Sequence, residues 1–551
     1  MQFLSADAAA ALVSPGDTVV VSGVVSLMAP EAVMSALGAR FERTGQPAGL
    51  TVICPCRTGW SGSGVTGLEH LAQRGLVTRL IAASYNGRDT PRLVRMCIDN
   101  EIETYALPMG VLFRWLRECT ARSPGLLTEV GLGTCFDPAA EGAGDVRVSS
   151  EARPLGLIRH VTIDGKDCLF MRSTKIDIAI VRASRADEAG NISLQDEPIS
   201  AGVLQMAMAA KTCGGKVIVV VKEVVKRGSI HPRWVEIPGA FVDAVVVDPG
   251  AIQTQLGYEP AFTGESRADP VTLPHLVLDH QKLILRRAAL ELKKGDIVNL
   301  GVGMGTQLPG LAIEEGFIDD IHFSVEHGAF GGVPAMGVPG NTGAFGAHYN
   351  PDTILDSTDL LDFYHGGGLD ATVLGFAQID SAGNVNVSRF NGSLRGPGGF
   401  IDITHRTKKI LFCGSLTSGG LKVECYADNT GPTLRIVAEG RNRKFPGVIE
   451  QINFNAGHAL ARGQRVLVIT ERCVFEIRRS GLVLTQIAPG IDIDRDIRPF
   501  IDFELQVADE LETLPCTMYR PEPMGIVPAP RIREVSGLRP NTVHIGPEQC
   551  G

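Results

Sequence analysis

Glu326 lies in the run Ser324-Val-Glu326-His-Gly328-Ala-Phe-Gly331-Gly332-Val-Pro334, a carboxylate set among glycines. A carboxylate is a weak nucleophile in water, but desolvated and aimed at an activated acyl group it attacks and forms a covalent intermediate. Glycines beside it let backbone N–H groups come close, and such donors stabilise a developing oxyanion. On local sequence alone, the same glutamate reads more simply as a strand-end residue that caps a turn. Upstream, Gly301-Val-Gly303-Met-Gly305 offers a second stretch of backbone open to close approach. It lacks the third glycine of a dinucleotide fingerprint, because position 306 is Thr, and no Lys-Ser/Thr follows to complete a phosphate loop.

The surrounding elements must bring these residues to one end of a sheet. The apolar run Ile297–Leu300 predicts a strand and 301–305 a turn. A helix from about 306 to 315 follows, with Thr306 as its N-cap and Gly316 in the left-handed position past its end. A second strand over 321–325 ends on Glu326. Ligands of parallel α/β sheets sit outside the carboxyl ends of the strands, where both the glycine turn and Glu326 fall. Ser324 points to the same side as Glu326 if the strand stays regular, either orienting the carboxylate or packing.

The beginning of the chain repeats this pattern. A helix over 6–13, a turn at Pro15-Gly16-Asp17, a strand over 18–22 and a helix over 30–37 are expected. Gly16-Asp17-x-Val19 and Pro30 match Gly295-Asp296-x-Val298 and Pro309 at an offset of 279 (295 against 16). Asp177 and Asp187-x-Ala-Gly190-Asn191 match Asp370 and Asp380-x-Ala-Gly383-Asn384 at an offset of 193 (370 against 177). Lys216 falls on Lys409 at that second offset. Such matches mark an internal duplication. Strands alternate with helices in both copies, so the fold class is α/β, two homologous domains with largely parallel sheets. The expected divisions are 1–268, 269–516 and a Pro-rich tail over 517–551, with the boundary inside 262–274 and a helix over 276–293 opening the second copy. The tail reads as extended over the surface or disordered.

Composition excludes several classes. A chain of 551 residues exceeds one hydrophobic core, and 44% apolar with 21% charged residues is ordinary for a soluble globular protein. A net charge of −9 argues against nucleic acid as a partner. The 12 cysteines show no Cys-x-x-Cys pair or Cys/His ligand spacing, so no metal site is expected, and reduced thiols fit a cytoplasmic protein. No apolar run is long enough to span a membrane. The histidines at 322, 327, 348 and 365 have poor ligand spacing and read as surface or supporting residues. The acidic pair Glu314-Glu315 reads as a surface feature at a helix end.

Asn299-Leu-Gly-Val-Gly303, Glu326-His-Gly and Gly331-Gly-Val-Pro resemble the C-terminal half of family I coenzyme A transferases. Among these, the chain is most similar to the single-chain propionate/acetate-type acyl-CoA:carboxylate CoA-transferases. Leu107-Pro108, Val130-Gly-Leu-Gly-Thr134, Asp380–Arg389, Gly396-Pro-Gly-Gly-Phe-Ile-Asp402 and Ile487-Ala-Pro-Gly-Ile-Asp492 share the likeness, which runs over about residues 5–515. The resemblance implies that Glu326 is the nucleophile and carries coenzyme A as a glutamyl thioester. It places an oxyanion-binding N–H in the Gly398-Gly399 loop, with Gly399 as the donor. Gly301, Gly303, Gly305, Gly328, Phe330 and Gly331 are the expected walls for the pantetheine arm. Many relatives have glutamine where this chain has Met109, which implies a less polar acyl site.

The implied reaction transfers coenzyme A between an acyl-CoA and a short-chain carboxylic acid, with coenzyme A as substrate and covalent intermediate and no further cofactor. A homo-oligomer is the default for a soluble enzyme of this size. Two rivals remain. A thioesterase would pass the same anhydride to water. A non-catalytic small-molecule sensor would share the fold, though the chain shows no helix-turn-helix or basic arm.

Overall fold

The computed structural model describes residues 1–62, 64–140, 156–269, 276–338, 344–428 and 431–530. Two large sheets organise the chain. The first takes its strands in the order Gln2–Leu4, Ala244–Val247, Lys216–Val225, Ile178–Asp187, Thr18–Val21, Leu50–Cys54, Val77–Ala82 and Glu103–Ala106, every neighbouring pair parallel. Short antiparallel strands, Ile192–Ser193 and Val235–Ile237, attach to its side. Segments such as Thr-Val-Val-Val at 18–21 suit this position, since central parallel strands are buried on both faces.

The second sheet runs Thr353–Ile354, Ala329–Phe330, His322–Ser324, Ile297–Leu300, Ala371–Leu374, Lys409–Cys413, Arg465–Ile469, Cys473–Arg478, Gly481–Ile487 and Gln506–Thr513. Its centre, from His322–Ser324 to Arg465–Ile469, is parallel. Hairpins extend it on both sides.

The duplication is visible in register. Val19 pairs with Ile178 in the first sheet, and Val298 with Ala371 in the second, positions related by the two sequence offsets. The matching aspartates repeat their bonds as well. Asp177 accepts from the Thr18 N–H at 3.0 Å and Asp370 from the Ile297 N–H at 3.1 Å. Asp187 and Asp380 each clamp their turn through the Asn191 or Asn384 side chain at 3.0 Å. A short acidic side chain that fixes a strand start or turn constrains both copies alike.

Several element bounds differ from expectation. The first helix is only Ala6–Ala10. The next runs Glu31–Thr44, because nothing breaks it before Gly45, which adopts φ 68°. The helix opening the second half is His280–Ala289, started by Asp279 accepting from the Gln281 and Lys282 N–H groups. The strand before Glu326 is His322–Ser324. Thr306 caps no helix: its hydroxyl donates to the Gly303 carbonyl at 2.7 Å within a 3-10 turn, and the α-helix is Leu308–Glu315. Gly316 does end it, at φ 81°.

The start of the tail is pinned. The buried Arg286 guanidinium donates to the Met518, Arg520 and Glu522 carbonyls at 2.6–2.9 Å. Glu315 accepts from the Met524 and Gly525 N–H groups, and Ala529–Pro530 pairs with Lys293–Lys294. The acidic pair expected at the surface is therefore enclosed: Glu314 pairs with Lys282, and Glu315 with Arg286 and the tail. Residues 531–551, and the part of the expected boundary over 270–275, lie outside the described residues. Among the described residues no helix is long and apolar enough to cross a membrane.

Candidate active site

Glu326 owes its position to a turn that only glycine closes. Past the strand His322–Ser324 the Val325 N–H donates to the Ala329 carbonyl at 3.2 Å, and the Gly328 N–H to the Val325 carbonyl at 3.1 Å. Gly328 adopts φ 124°, and a Cβ there would lie 2.2 Å from the Leu355 carbonyl oxygen. The carboxylate is thrown out at the carboxyl end of the strand yet stays 6% exposed. Burial pushes its pKa up from the ordinary 4.5 to about 7, opposed by hydrogen bonds from its own backbone and from the Asn299 side chain. The nearby Asp402 charge adds to the rise.

Behind the carboxylate lies a buried polar network. Asn299 Oδ1 accepts from the Thr372 hydroxyl at 3.0 Å, and its Nδ2 faces the Tyr364 hydroxyl at 3.4 Å. Tyr364 in turn shares a 2.7 Å hydrogen bond with Ser324. Asn299, Ser324, Tyr364 and Thr372 are each 0% exposed. Ser324 therefore bears on Glu326 through Tyr364 and Asn299. Satisfied buried networks of this kind hold one geometry.

The facing wall, at residues 396–400, comes from the same half as Glu326. Its adjacent glycines, Gly398 and Gly399, differ. The Gly398 N–H donates to the Ala83 carbonyl at 2.8 Å, and the Gly398 carbonyl accepts from the Met109 N–H at 2.9 Å. Gly398, expected among the catalytic residues, thus has its N–H engaged in docking the loop on the first half. The Gly399 N–H meets no acceptor among the described residues, at the N-terminus of the short helix Phe400–Thr404. A Cβ built on Gly399 would lie 3.3 Å from Glu326 Cγ and 3.2 Å from Met109 Cε, so this backbone closes directly on the carboxylate.

Asp402 locks the loop to the first half. Its carboxylate accepts from the Gly110 and Val111 N–H groups at 3.0 and 3.2 Å, at the start of the helix Met109–Ala121. It also meets His365 Nε2 at 2.9 Å. A side chain at 110 would collide with Asp402 at 2.8 Å.

Glu326, Met109, Gly301, Gly398 and Gly399 line one cavity of about 340 Å³ at the seam between the halves. Most of its wall is apolar, including Val25, Phe345, Leu374, Phe376, Phe390 and Ile403. His327 lines it too, buried and held neutral, its pKa pushed down to about 3 by burial. Gly303, Gly305, Gly328, Phe330 and Gly331 are not among its lining residues. Gly305 makes room for the Val373 carbonyl, Gly328 for that of Leu355 and Gly331 for the Asp352 side chain. Phe330 pairs with Ser324 across the sheet. Tyr364, Cys56 and Arg57 reach the site or support it without any local sequence signal, whereas Asn299 and Asp402 stand at the ends of segments that carry the family likeness, with no role of their own expected there. Among the described residues no group of three or more His, Cys, Asp or Glu could hold a metal ion.

The sequence model for coenzyme A transferase matches residues 3–248. The chain is 40% identical over 498 residues to acetate CoA-transferase YdiF of Escherichia coli K12, covering 90% of each chain. It is 39% identical over 528 residues to caffeate CoA-transferase of Acetobacterium woodii, covering 93% of this chain and 96% of that one. The chain belongs to the coenzyme A transferase family. The apoenzyme crystal structure of Escherichia coli O157:H7 acyl-CoA transferase YdiF superposes on this transferase with a TM-score of 0.87 and 36% identity, over 96% of this chain and 98% of that one. The same relative has been crystallised as a thioester complex with CoA, at 35% identity and the same TM-score of 0.87. Matches of this span carry the family through the second half of the transferase, where Glu326 lies.

Proposed function

We propose that this transferase moves coenzyme A between an acyl-CoA and a carboxylic acid through Glu326. The carboxylate attacks the donor thioester carbonyl, forming a C–O bond and breaking the C–S bond, which yields an acyl-glutamyl anhydride and coenzyme A thiolate. The thiolate attacks the Glu326 carbonyl carbon, the donor acid leaves as its carboxylate, and glutamyl-CoA remains. An acceptor carboxylate then reverses both steps. The thioester itself supplies the activation. The observation that carries this reading is a buried carboxylate on which the Gly399 backbone closes, with the Gly399 N–H meeting no acceptor among the described residues. Such a donor gains strength in a water-poor cavity as the tetrahedral oxyanion forms. The relative crystallised as a thioester with CoA supports the covalent intermediate. Binding energy from the remote parts of coenzyme A serves the reacting centre. The reading sets the enzyme in the cytoplasm, acting as a homo-oligomer.

Incubation with acyl-CoA alone should add a CoA-sized mass to the peptide containing Glu326, and Glu326→Ala should abolish adduct and transfer together. Product analysis with and without an acceptor acid separates transfer from hydrolysis. Catalytic release of free acid and coenzyme A without acceptor would make the protein a thioesterase instead.

A further inference from the structure

Arginine side chains collect at one side of the cavity. Arg57 lines the cavity, and its Nη2 pairs with Asp89 at 3.2 Å. Its Nε is buried and meets no acceptor among the described residues. Arg395, next to the lining residue Gly396, donates from Nη1 to Asn86 Oδ1 at 2.9 Å. Burial depresses the Arg395 pKa, and the neighbouring Arg88 and Arg57 charges depress it further, with Asp89 acting the other way. The Arg88 side chain is exposed and has no ion-pair partner among the described residues. Asp89 is also tied to the Asn86 side chain at 2.7 Å. Arg57 and Arg395 are thus linked through Asp89 and Asn86 beside an apolar cavity, and Arg88 directly precedes Asp89 in the chain. Like charges held together in a partly desolvated place are unfavourable unless an anion joins them.

We propose that Arg57, Arg88 and Arg395 form an anion subsite for a terminal oxyanion group of the substrate, either a phosphate of coenzyme A or the distal carboxylate of a dicarboxylic acyl group. The inference rests on the transferase reading and extends it to how the substrate's far end is held. Guanidinium forks match both groups, since each offers paired oxygens to parallel N–H donors. Arg57 and Arg88 come from the first half and Arg395 from the second, so an anion bound there would bridge the seam.

The test is steady-state kinetics on the full chain in wild type, Arg57→Gln, Arg395→Gln and Arg88→Gln. One arm compares an acyl-CoA with the matching acyl-pantetheine thioester, which has no phosphate. The other compares succinate with butyrate as acceptors, which differ by the distal carboxylate. If phosphate is the anion, the preference for the CoA thioester falls about tenfold or more in the variants while the succinate-to-butyrate ratio holds. If the carboxylate is the anion, the second ratio falls and the first holds. A wild type with neither preference, or variants in which both ratios hold, overturns the subsite. Each ratio is internal to one protein, so partial loss of folded enzyme cancels. Arg88 is exposed, so Arg88→Gln carries the test should a buried variant fail to fold. The Glu326 adduct is followed in the same samples: its absence from wild type would overturn the transferase reading itself.

Discussion

Glu326→Gln should make the transferase inactive and, above neutral pH, more stable. The ordinary carboxyl pKa is 4.5, and burial in the folded protein pushes it to about 7. Between those values the folded protein holds a proton that the unfolded chain has lost. Stability of the wild type therefore falls as pH rises from about 4.5 to about 7, and this contribution is flat above. Each pKa unit is worth about 1.36 kcal/mol, so the penalty for ionising Glu326 in place is on the order of 3 kcal/mol. Glutamine keeps the shape without the charge. It gives up part of the Asn299 hydrogen bond to the carboxylate, which returns roughly 1 kcal/mol. The variant should then exceed wild type by about 1–3 kcal/mol at pH 8 and match it near pH 5. Urea or thermal unfolding of both proteins across pH 5 to 8.5 measures the difference. A gap that is absent at pH 8, or that does not change with pH, would refute the argument that desolvation governs this carboxyl.

Because attack requires the ionised carboxylate, kcat/KM of the wild type should rise with pH through about 7, and a profile flat from pH 5 to 8 would count against Glu326 as nucleophile. Met109→Gln should shift the kcat/KM ratio towards acetyl-CoA and away from C4–C6 acyl-CoA, since Met109 lines the cavity and offers apolar surface worth about 0.8 kcal/mol per buried methylene; an unchanged ratio would mean that it does not touch the acyl group. Arg286→Met should leave three tail carbonyls without their donor and expose Glu315, costing about 3–5 kcal/mol and making the segment after residue 515 sensitive to protease. Unaltered melting and proteolysis would show that the tail is held by other contacts.

The sequence by itself determined the α/β class, the duplication and the place of Glu326. Each is written in neighbouring residues: valine-rich strands, turn glycines, and aspartates kept at two constant offsets. Helix ends were less legible, because Thr306 bonds to Gly303 where an N-cap was expected, and Asp279 caps its helix three residues past the expected start at 276. Only the tertiary structure decided that the Gly398 N–H is engaged, since the carbonyl that accepts from it belongs to Ala83 in the other half. The same holds for Asp402, which grips Gly110 across 292 residues of chain, and for the arginines at 57, 88 and 395. Periodicity and turn preference act over a few residues and survive in sequence. Docking of the two halves sets which distant polar groups meet, and no local pattern records it.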